Sequence, residues 1–293
     1  GDVNKDKKLE DLKSLTDRGM EGGLSFRESL IERLKLLNAK KTNSLPKVVI
    51  PVHLSGQSCD MARIYDLSKQ YGFKIIEDAS HAIGGKYINE PVGNGRFSEI
   101  TVFSFHPVKI ITTGEGGMAI TNNESLAQRL ALFRSHGITS DLDSMESRPI
   151  NEIWNYQQIE LGFNYRMTDI QAALGLSQME RLDEFVERRH FIAKRYDEEL
   201  KSLPIQTPMQ HRDTYSAYHL YPIRVSPQKA KISQRQAYDA MTQLGIRVNL
   251  HYIPVYRQPF YERLGFKQGY CAEAESYHQD AISIPMYASL SEA

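Results

Sequence analysis

Cysteine is nearly absent from this chain. Its 293 residues include two, Cys59 and Cys271, separated by 212 positions (271 − 59). That separation gives neither a metal-ligand spacing nor a disulfide framework, and it predicts a reducing, cytoplasmic setting. A charge excess of one sign is absent too, because 36 Lys and Arg are matched by 36 Asp and Glu. A balanced chain exerts no long-range pull on nucleic acid or an anionic membrane, so neither is expected as a partner. A local basic pocket stays open. No apolar run approaches the ~20 residues of a membrane-spanning helix. The first residues, Gly1-Asp2-Val3-Asn4-Lys5, are polar and charged, unlike a secretory signal. Internal repeats, low-complexity tracts and coiled-coil heptads are missing as well. What remains is ordinary: 41% hydrophobic and 25% charged residues, as in a soluble α/β protein of one large or two smaller domains.

Residues 1–46 are rich in Lys, Asp, Glu and Leu. Two helical patterns stand there, Leu9, Leu12 and Leu15, then Leu30, Ile31, Leu34 and Leu37, with Gly19, Gly22 and Gly23 between them as breakers. After Pro46 strands and helices alternate. KVVIPVHL (47–54) is a continuous apolar run, expected as a strand covered on both faces. A helix follows over Met61–Tyr71, ending at Gly72; strands follow over Lys74–Glu77, Ile100–Phe105 and Met118–Thr121, and a helix over Glu124–Arg134. This alternation predicts βαβ units and a mostly parallel sheet. Residues 141–160 read as an irregular connection. Residues 167–201 read as one long helix or a bent pair, with Ile170, Leu174, Leu176, Met179, Leu182, Phe185 and Val186 on its apolar side, stopped by Pro204 and Pro208. A second alternation follows: a strand over His219–Val225, a helix over Lys229–Leu244 and a strand over Ile246–Leu250.

Three stretches carry candidate chemistry. Glu77-Asp78-Ala79-Ser80-His81 directly follows a predicted strand. Ligands of open α/β sheets sit outside the carboxyl ends of strands, where Asp78 and His81 fall. A helix cap or turn, and a structural histidine, are the plain alternatives. Phe103-Ser104-Phe105-His106-Pro107-Val108-Lys109 ends another strand. Ser104 can donate to a phosphate, and a lysine in an apolar setting has its charged form disfavoured, which frees the amine for a Schiff base. A surface lysine at a loop edge is the plain alternative. Thr112-Thr113-Gly114-Glu115-Gly116-Gly117 allows tight backbone near a ligand or a simple entry to the next strand. The order matters more than each piece. An acid after one strand and a lysine 31 positions later (109 − 78) suit pyridoxal phosphate (PLP). The carboxylate keeps the pyridinium nitrogen protonated, so that the ring accepts electrons.

DASHAIGG, FSFHPVKIITTGEGG, FRSHGI and LGFNYRMTDIQAALG, in that order, strongly resemble the DegT/DnrJ/EryC1/StrS sugar aminotransferases from about residue 46 onward. The resemblance implies a fold-type I PLP-dependent transferase of the α/β class, with a mostly parallel large domain and a smaller α+β C-terminal domain. It divides the chain into a divergent helical segment 1–46, a partial PLP-binding domain 47–166, a connecting helix 167–203 and a small domain 204–293. PVHLSGQSCDM, DASHAIGG and SFHPVKIITTGEGG look closest to the pseudaminic-acid branch. That branch implies transfer of an amino group, with L-glutamate as donor, to C4 of a UDP-linked 4-keto-6-deoxy sugar. Lys109 matches the Schiff-base lysine, which also shuttles a proton. Asp78 matches the pyridinium partner, Ser104 a phosphate ligand, and His81 a position that contacts the ring, where many relatives carry Gln. Asn164 matches a residue reaching the phosphate from a second subunit, which implies a homodimer with the active site at its interface. Arg166 binds or organises the same region. His251 and Tyr252, in NLHYIPVY, match the segment near the nucleotide sugar; aromatic core stays open as the reading of Tyr252, Tyr256 and Phe260.

Family members carry a loop of small residues ahead of the strand matching KVVIPVHL, and its N–H groups bind the PLP phosphate. Residues 1–46 hold Gly19-Met20-Glu21-Gly22-Gly23 but no such loop. The chain is then either a piece of a longer enzyme or a shortened homologue that binds nucleotide sugar without turnover. A dehydratase of the same fold would carry histidine in place of Lys109. The nine histidines show no HxxxH-type pairing, so no metal site is expected.

Overall fold

The computed structural model describes residues 45–291, apart from Arg148, Ile150, Ile153 and Trp154. The two helical patterns expected within residues 1–46 lie outside the described residues.

The first half runs β1 (Val48–Val49), α1 (Met61–Tyr71), β2 (Lys74–Asp78), β3 (Lys86–Tyr87), β4 (Glu90–Pro91), β5 (Ile100–Ser104), β6 (Gly117–Ile120) and α2 (Glu124–Arg134). It continues through β7 (Ile138–Thr139), β8 (Gln157–Gln158), α3 (Asp169–Met179) and α4 (Leu182–Leu200). The C-terminal part holds β9 (Thr214–Tyr215), β10 (Tyr221–Arg224), α5 (Pro227–Ala230), α6 (Gln234–Gln243), α7 (Pro259–Arg263), α8 (Ala272–Asp280) and β11 (Ala281–Ile284).

The main sheet has the order β1-β2-β5-β6. The pairings β1–β2 and β2–β5 are parallel, so the sheet is mainly parallel as predicted. The β5–β6 pairing is antiparallel, because the loop after β5 returns directly to its neighbour. α1 begins at Met61, buries Met61, Ile64 and Leu67 at helical spacing and stops at Gly72, whose φ of 75° is left-handed. These side chains pack with Phe73 and Ile75 against the sheet. A capping box of Thr168 and Gln171 starts α3, and Asn123 caps α2 by accepting from the Leu126 N–H.

α4 links two further cores. Val186 joins Ala79, Ala82, Phe103, Phe105, Ile110, Ile111 and Ala217 beneath the sheet's carboxyl edge. Two turns on, Ile192 and Ala193 join Tyr218, Tyr221, Ile223, Val225, Ala237, Ile282 and Met286, where β10 pairs antiparallel with β11. Each buried Val, Ile, Phe or Met among them contributes about 1.5–3 kcal/mol.

Five expectations are corrected. The KVVIPVHL strand is not covered on both faces among the described residues: Val48, Ile50 and Val52 are 44%, 57% and 47% exposed. β1 is the edge of the described sheet, and alternation buries only Pro51 and His53. The apolar side expected over 167–201 divides at Glu180–Arg181. α3 buries none of its residues, leaving Ile170, Leu174, Leu176 and Met179 exposed, whereas α4 turns its stripe inward. Ile246–Leu250 forms no strand, because only Asn249 finds a partner, bridging to Ser283. The 229–244 helix breaks at Lys231, whose φ is 56°, and restarts behind a capping box of Ser233 and Gln236. The strand expected from His219 begins instead at Tyr221.

Candidate active site

The site lies at the carboxyl ends of β2 and β5. Parallel pairing sets Asp78 beside Val102, so both strands end on one side of the sheet. The Ala79 N–H donates to the Val102 carbonyl at 2.8 Å, which turns the chain across that edge toward His81. Asp78 Oδ1 accepts from the Ser80 N–H at 3.0 Å. Past β5, the Phe105 N–H donates to the Gly116 carbonyl and the Thr113 N–H to the Phe105 carbonyl, closing a loop that carries Lys109. Ile110 and Ile111 are buried and anchor this loop from below, while Lys109 stays half-buried.

Burial holds the Lys109 ammonium below the usual lysine range, and the Asp78 carboxylate opposes that shift. The amine is therefore freed more readily than that of a surface lysine. Three histidines share its field. Burial takes His81 down to about 4, with Lys109 adding repulsion and Asp78 opposing. His251 is lowered by burial and then by Lys109, and its Nδ1 lies 2.8 Å from Ser283 Oγ. His219 falls to about 2 through burial, His81 and Lys109. The Tyr252 hydroxyl sits 3.3 Å from His81 Nε2, and burial followed by Asp78 pushes its pKa up, so the phenol keeps its proton.

Asp78, His81, Lys109, His251 and Tyr252 thus come together from segments far apart in sequence. Tyr252 and Phe260 are 50% and 59% exposed, which sets aside the aromatic-core alternative for both. The Tyr256 hydroxyl donates to Glu275 and accepts from the Cys271 N–H, and so braces the 269–275 segment. Ser104 is half-buried at the end of β5, its Oγ accepting a long bond from the His106 N–H at 3.5 Å. Asn164 and Arg166 are exposed. Asn164 bridges to Ser135, and neither is joined to Lys109 or Asp78 by a hydrogen bond or ion pair.

Sequence reasoning missed three residues. His219 is buried with its ring 4.4 Å from that of His81, and its Nδ1 has no protein partner. His53 and Glu77 form a buried pair at 2.8 Å directly behind Asp78. The Glu-Asp doublet was the available signal, since strand alternation must send the two acids to opposite faces.

The donor set fits an aromatic, anionic cofactor: an amine with its charge disfavoured, a carboxylate across from it, neutral histidines and a hydroxyl at a strand end. Residues 31–293 match the DegT/DnrJ/EryC1/StrS aminotransferase family. The chain belongs to that family. The UDP-4-amino-4,6-dideoxy-N-acetyl-beta-L-altrosamine transaminase of Campylobacter jejuni is 36% identical over 237 residues, covering 80% of this chain and 59% of that protein. The spore coat polysaccharide biosynthesis protein SpsC of Bacillus subtilis is 36% identical over 249 residues, covering 84% of this chain and 63% of that protein. Among solved structures, Helicobacter pylori PseC, an aminotransferase involved in the biosynthesis of pseudoaminic acid, superposes with a TM-score of 0.77 at 30% identity. That match covers 87% of this chain and 65% of PseC. The chain therefore spans about three-fifths of the length of these curated relatives. The sugar aminotransferase Spr1654 of Streptococcus pneumoniae, with a TM-score of 0.75 at 28% identity, is solved in PLP and PMP forms and covers 88% of this chain. Pyridoxal phosphate is the cofactor this kinship implies.

Proposed function

We propose that this protein is a PLP-dependent aminotransferase that moves an amino group from L-glutamate to C4 of a UDP-linked 4-keto-6-deoxy sugar. Its product would serve bacterial surface-glycan or pseudaminic-acid-type biosynthesis in the cytoplasm. Lys109 carries the reading: its amine is depressed by burial beside Asp78 at the carboxyl edge of the sheet. The activities named for the C. jejuni and H. pylori relatives support the substrate class. Among the described residues no helix is long and apolar enough to cross a membrane.

The bound cofactor supplies an electron sink for the carbon losing or gaining the amine. Lys109 Nζ holds the group and moves the proton at the reacting carbon. Asp78 pairs with the ring nitrogen as an anion. Ser104 donates its O–H to the phosphate. His81 contacts the ring as a neutral group, so that no second cation competes with Lys109. His251 and Tyr252 line the side from which the sugar enters. We assign Asn164 and Arg166 to the neighbouring site of a homodimer. In this reading the exposed apolar residues of α3 face the second copy, and buried apolar surface drives the association. The domain limits proposed with it are 47–166, 167–203 and 204–293, preceded by 1–46.

The test uses the full-length protein, PLP, L-glutamate and a panel of UDP-4-ketosugars. Wild type is expected to turn yellow and to convert one ketosugar to an amine, read by product mass. Lys109→Ala is expected to lose the long-wavelength absorbance. A colourless wild type defeats the assignment. Colour without any mass change points instead to a homologue that binds without turnover.

A further inference from the structure

Two histidines flank β2, and the short segment 53–59 settles where each carries its proton. The Cys59 N–H donates to His53 Nδ1 at 3.2 Å, while His53 Nε2 meets Glu77 Oε2 at 2.8 Å. The Ser55 N–H donates to His81 Nδ1 at 3.2 Å, while His81 Nε2 faces the Tyr252 hydroxyl at 3.3 Å. A ring nitrogen that accepts a backbone N–H carries no proton, so a neutral ring bears it on the other nitrogen. His81 Nε2–H then donates to Tyr252. The phenol's own O–H is left to donate onward.

The Leu54–Gly56 turn is shaped for that contact. Ser55 holds φ 62° and ψ 0°, a left-handed conformation that non-glycine residues rarely adopt. Such a residue persists only where its surroundings determine it. Gly56, at φ 107°, backs onto the chain before β10: a Cβ there would lie 2.7 Å from the Tyr218 N and 3.0 Å from the His219 N. The Ala217 N–H donates to the Gly56 carbonyl at 2.9 Å, and the Leu220 N–H to the Ser55 carbonyl at 3.3 Å. His219, seated by the same docking, sets its ring 4.4 Å from that of His81, tilted by 44°. At His81 burial disfavours a second proton first, Lys109 and His251 add to that, and Asp78 opposes it.

We propose that the Leu54–Gly56 turn is a positioning element that fixes His81 as the Nε2–H tautomer and thereby makes the Tyr252 hydroxyl a hydrogen-bond donor to an acceptor oxygen of the ligand beside Lys109. The inference rests on the proposed function only for the identity of that ligand. His81 and Tyr252 form the contact, while Ser55, Gly56 and His219 act through them.

The experiment reads the tautomers directly, by ¹H–¹⁵N spectra of histidine-labelled full chain without cofactor between about pH 5 and 8, a range spanning the unperturbed histidine value. Wild type is expected to show His81 as a neutral Nε2–H ring throughout, and the His53 Nε2–H directed to Glu77. Gly56→Ala is expected to mix the tautomers at His81 and to leave His53, which is held by Cys59 instead, unchanged. An unchanged His53 signal also reports that this variant has folded. Binding is then measured with PLP alone and with UDP added to the PLP-loaded chain. Loss of one hydrogen bond predicts that Tyr252→Phe weakens one of these probes about tenfold. His81→Gln, whose amide both accepts and donates, keeps that affinity, and His81→Leu does not. A His81 ring that is Nδ1–H or doubly protonated overturns the inference, as does wild-type affinity of Tyr252→Phe for both probes. A chain that never takes up PLP defeats the proposed function, while the cofactor-free spectra still decide this one.

Discussion

Glu77 and Asp78 are consecutive acids on one strand, and they face opposite environments. Glu77 is 5% exposed and accepts hydrogen bonds from His53, Ser98 and Thr101, a closed set that leaves it nothing further to bind. These partners hold its carboxyl below the usual range against the opposing cost of burial. Asp78 is half-buried, takes one N–H from Ser80, and otherwise faces Lys109, His81 and Tyr252 across an open edge. The same chemistry becomes structural where its partners are complete and functional where they are not. Burial with full satisfaction stabilises. Partial satisfaction at a strand's carboxyl end leaves a charge ready for a ligand.

The largest expected effect breaks the closed side. Glu77→Leu strands His53 and two hydroxyls without their acceptor, and a broken buried pair costs about 3–5 kcal/mol. Denaturant unfolding should show this loss with little change in m-value. A loss under about 1 kcal/mol would mean that Glu77 is no more embedded than Asp78.

A smaller effect, per pH unit, appears on acidification. His81 and His219 are basic groups whose folded values, about 4 and about 2, lie below the ordinary 6.5. Below that ordinary value the unfolded chain binds more protons than the folded one. Stability is therefore complete above about pH 6.5 and falls as pH drops below it, by at most about 1.4 kcal/mol per unit for each buried ring. Glu77 acts in a lower window: its depressed carboxyl contributes above its unfolded value of 4.5, and the contribution fades as pH falls through the folded value. Thermal unfolding between pH 7 and 4 should slope downward in wild type, and His81→Gln should flatten the upper part of that slope. A flat wild-type profile down to pH 5 would remove the neutral-histidine picture.

The smallest stability change sharpens the contrast. Asp78→Asn should alter unfolding by less than about 1 kcal/mol, because its side chain is not enclosed. It should nevertheless weaken PLP binding and bleach the long-wavelength band, since an amide cannot hold the ring nitrogen's proton by charge. Equal destabilisation by Glu77→Leu and Asp78→Asn would erase the distinction between the two sides.

Elements with local causes were legible from residues alone. Met61–Tyr71 and Glu124–Arg134 lie where they are predicted, because the residues that bound them, Gly72 and Asn123, act within one turn of the helix. Lys109, Asp78 and His81 were legible from their order along the strands. Less legible was burial: α3 reads as apolar as α4, yet its Ile170 is 84% exposed while Ile192 of α4 is 5% exposed. Hydrophobic spacing shows that a helix has a face and is silent on what that face meets. His219 escaped notice because nothing within its own stretch distinguishes a ring packed behind an active-site histidine from any other just ahead of a strand.

By itself, then, the sequence determined the caps, the strand-and-helix alternation, the chemistry-bearing residues and their order. The tertiary structure alone decided which acid is enclosed, which ring nitrogen bears the proton and which hydroxyl can donate. Those outcomes depend on partners 24 residues away for His53 and Glu77, 26 for Ser55 and His81, and 171 for Tyr252 and His81. Helical and turn preferences act over three or four residues. A proton's position on a ring follows from contacts that only folding brings within hydrogen-bond distance.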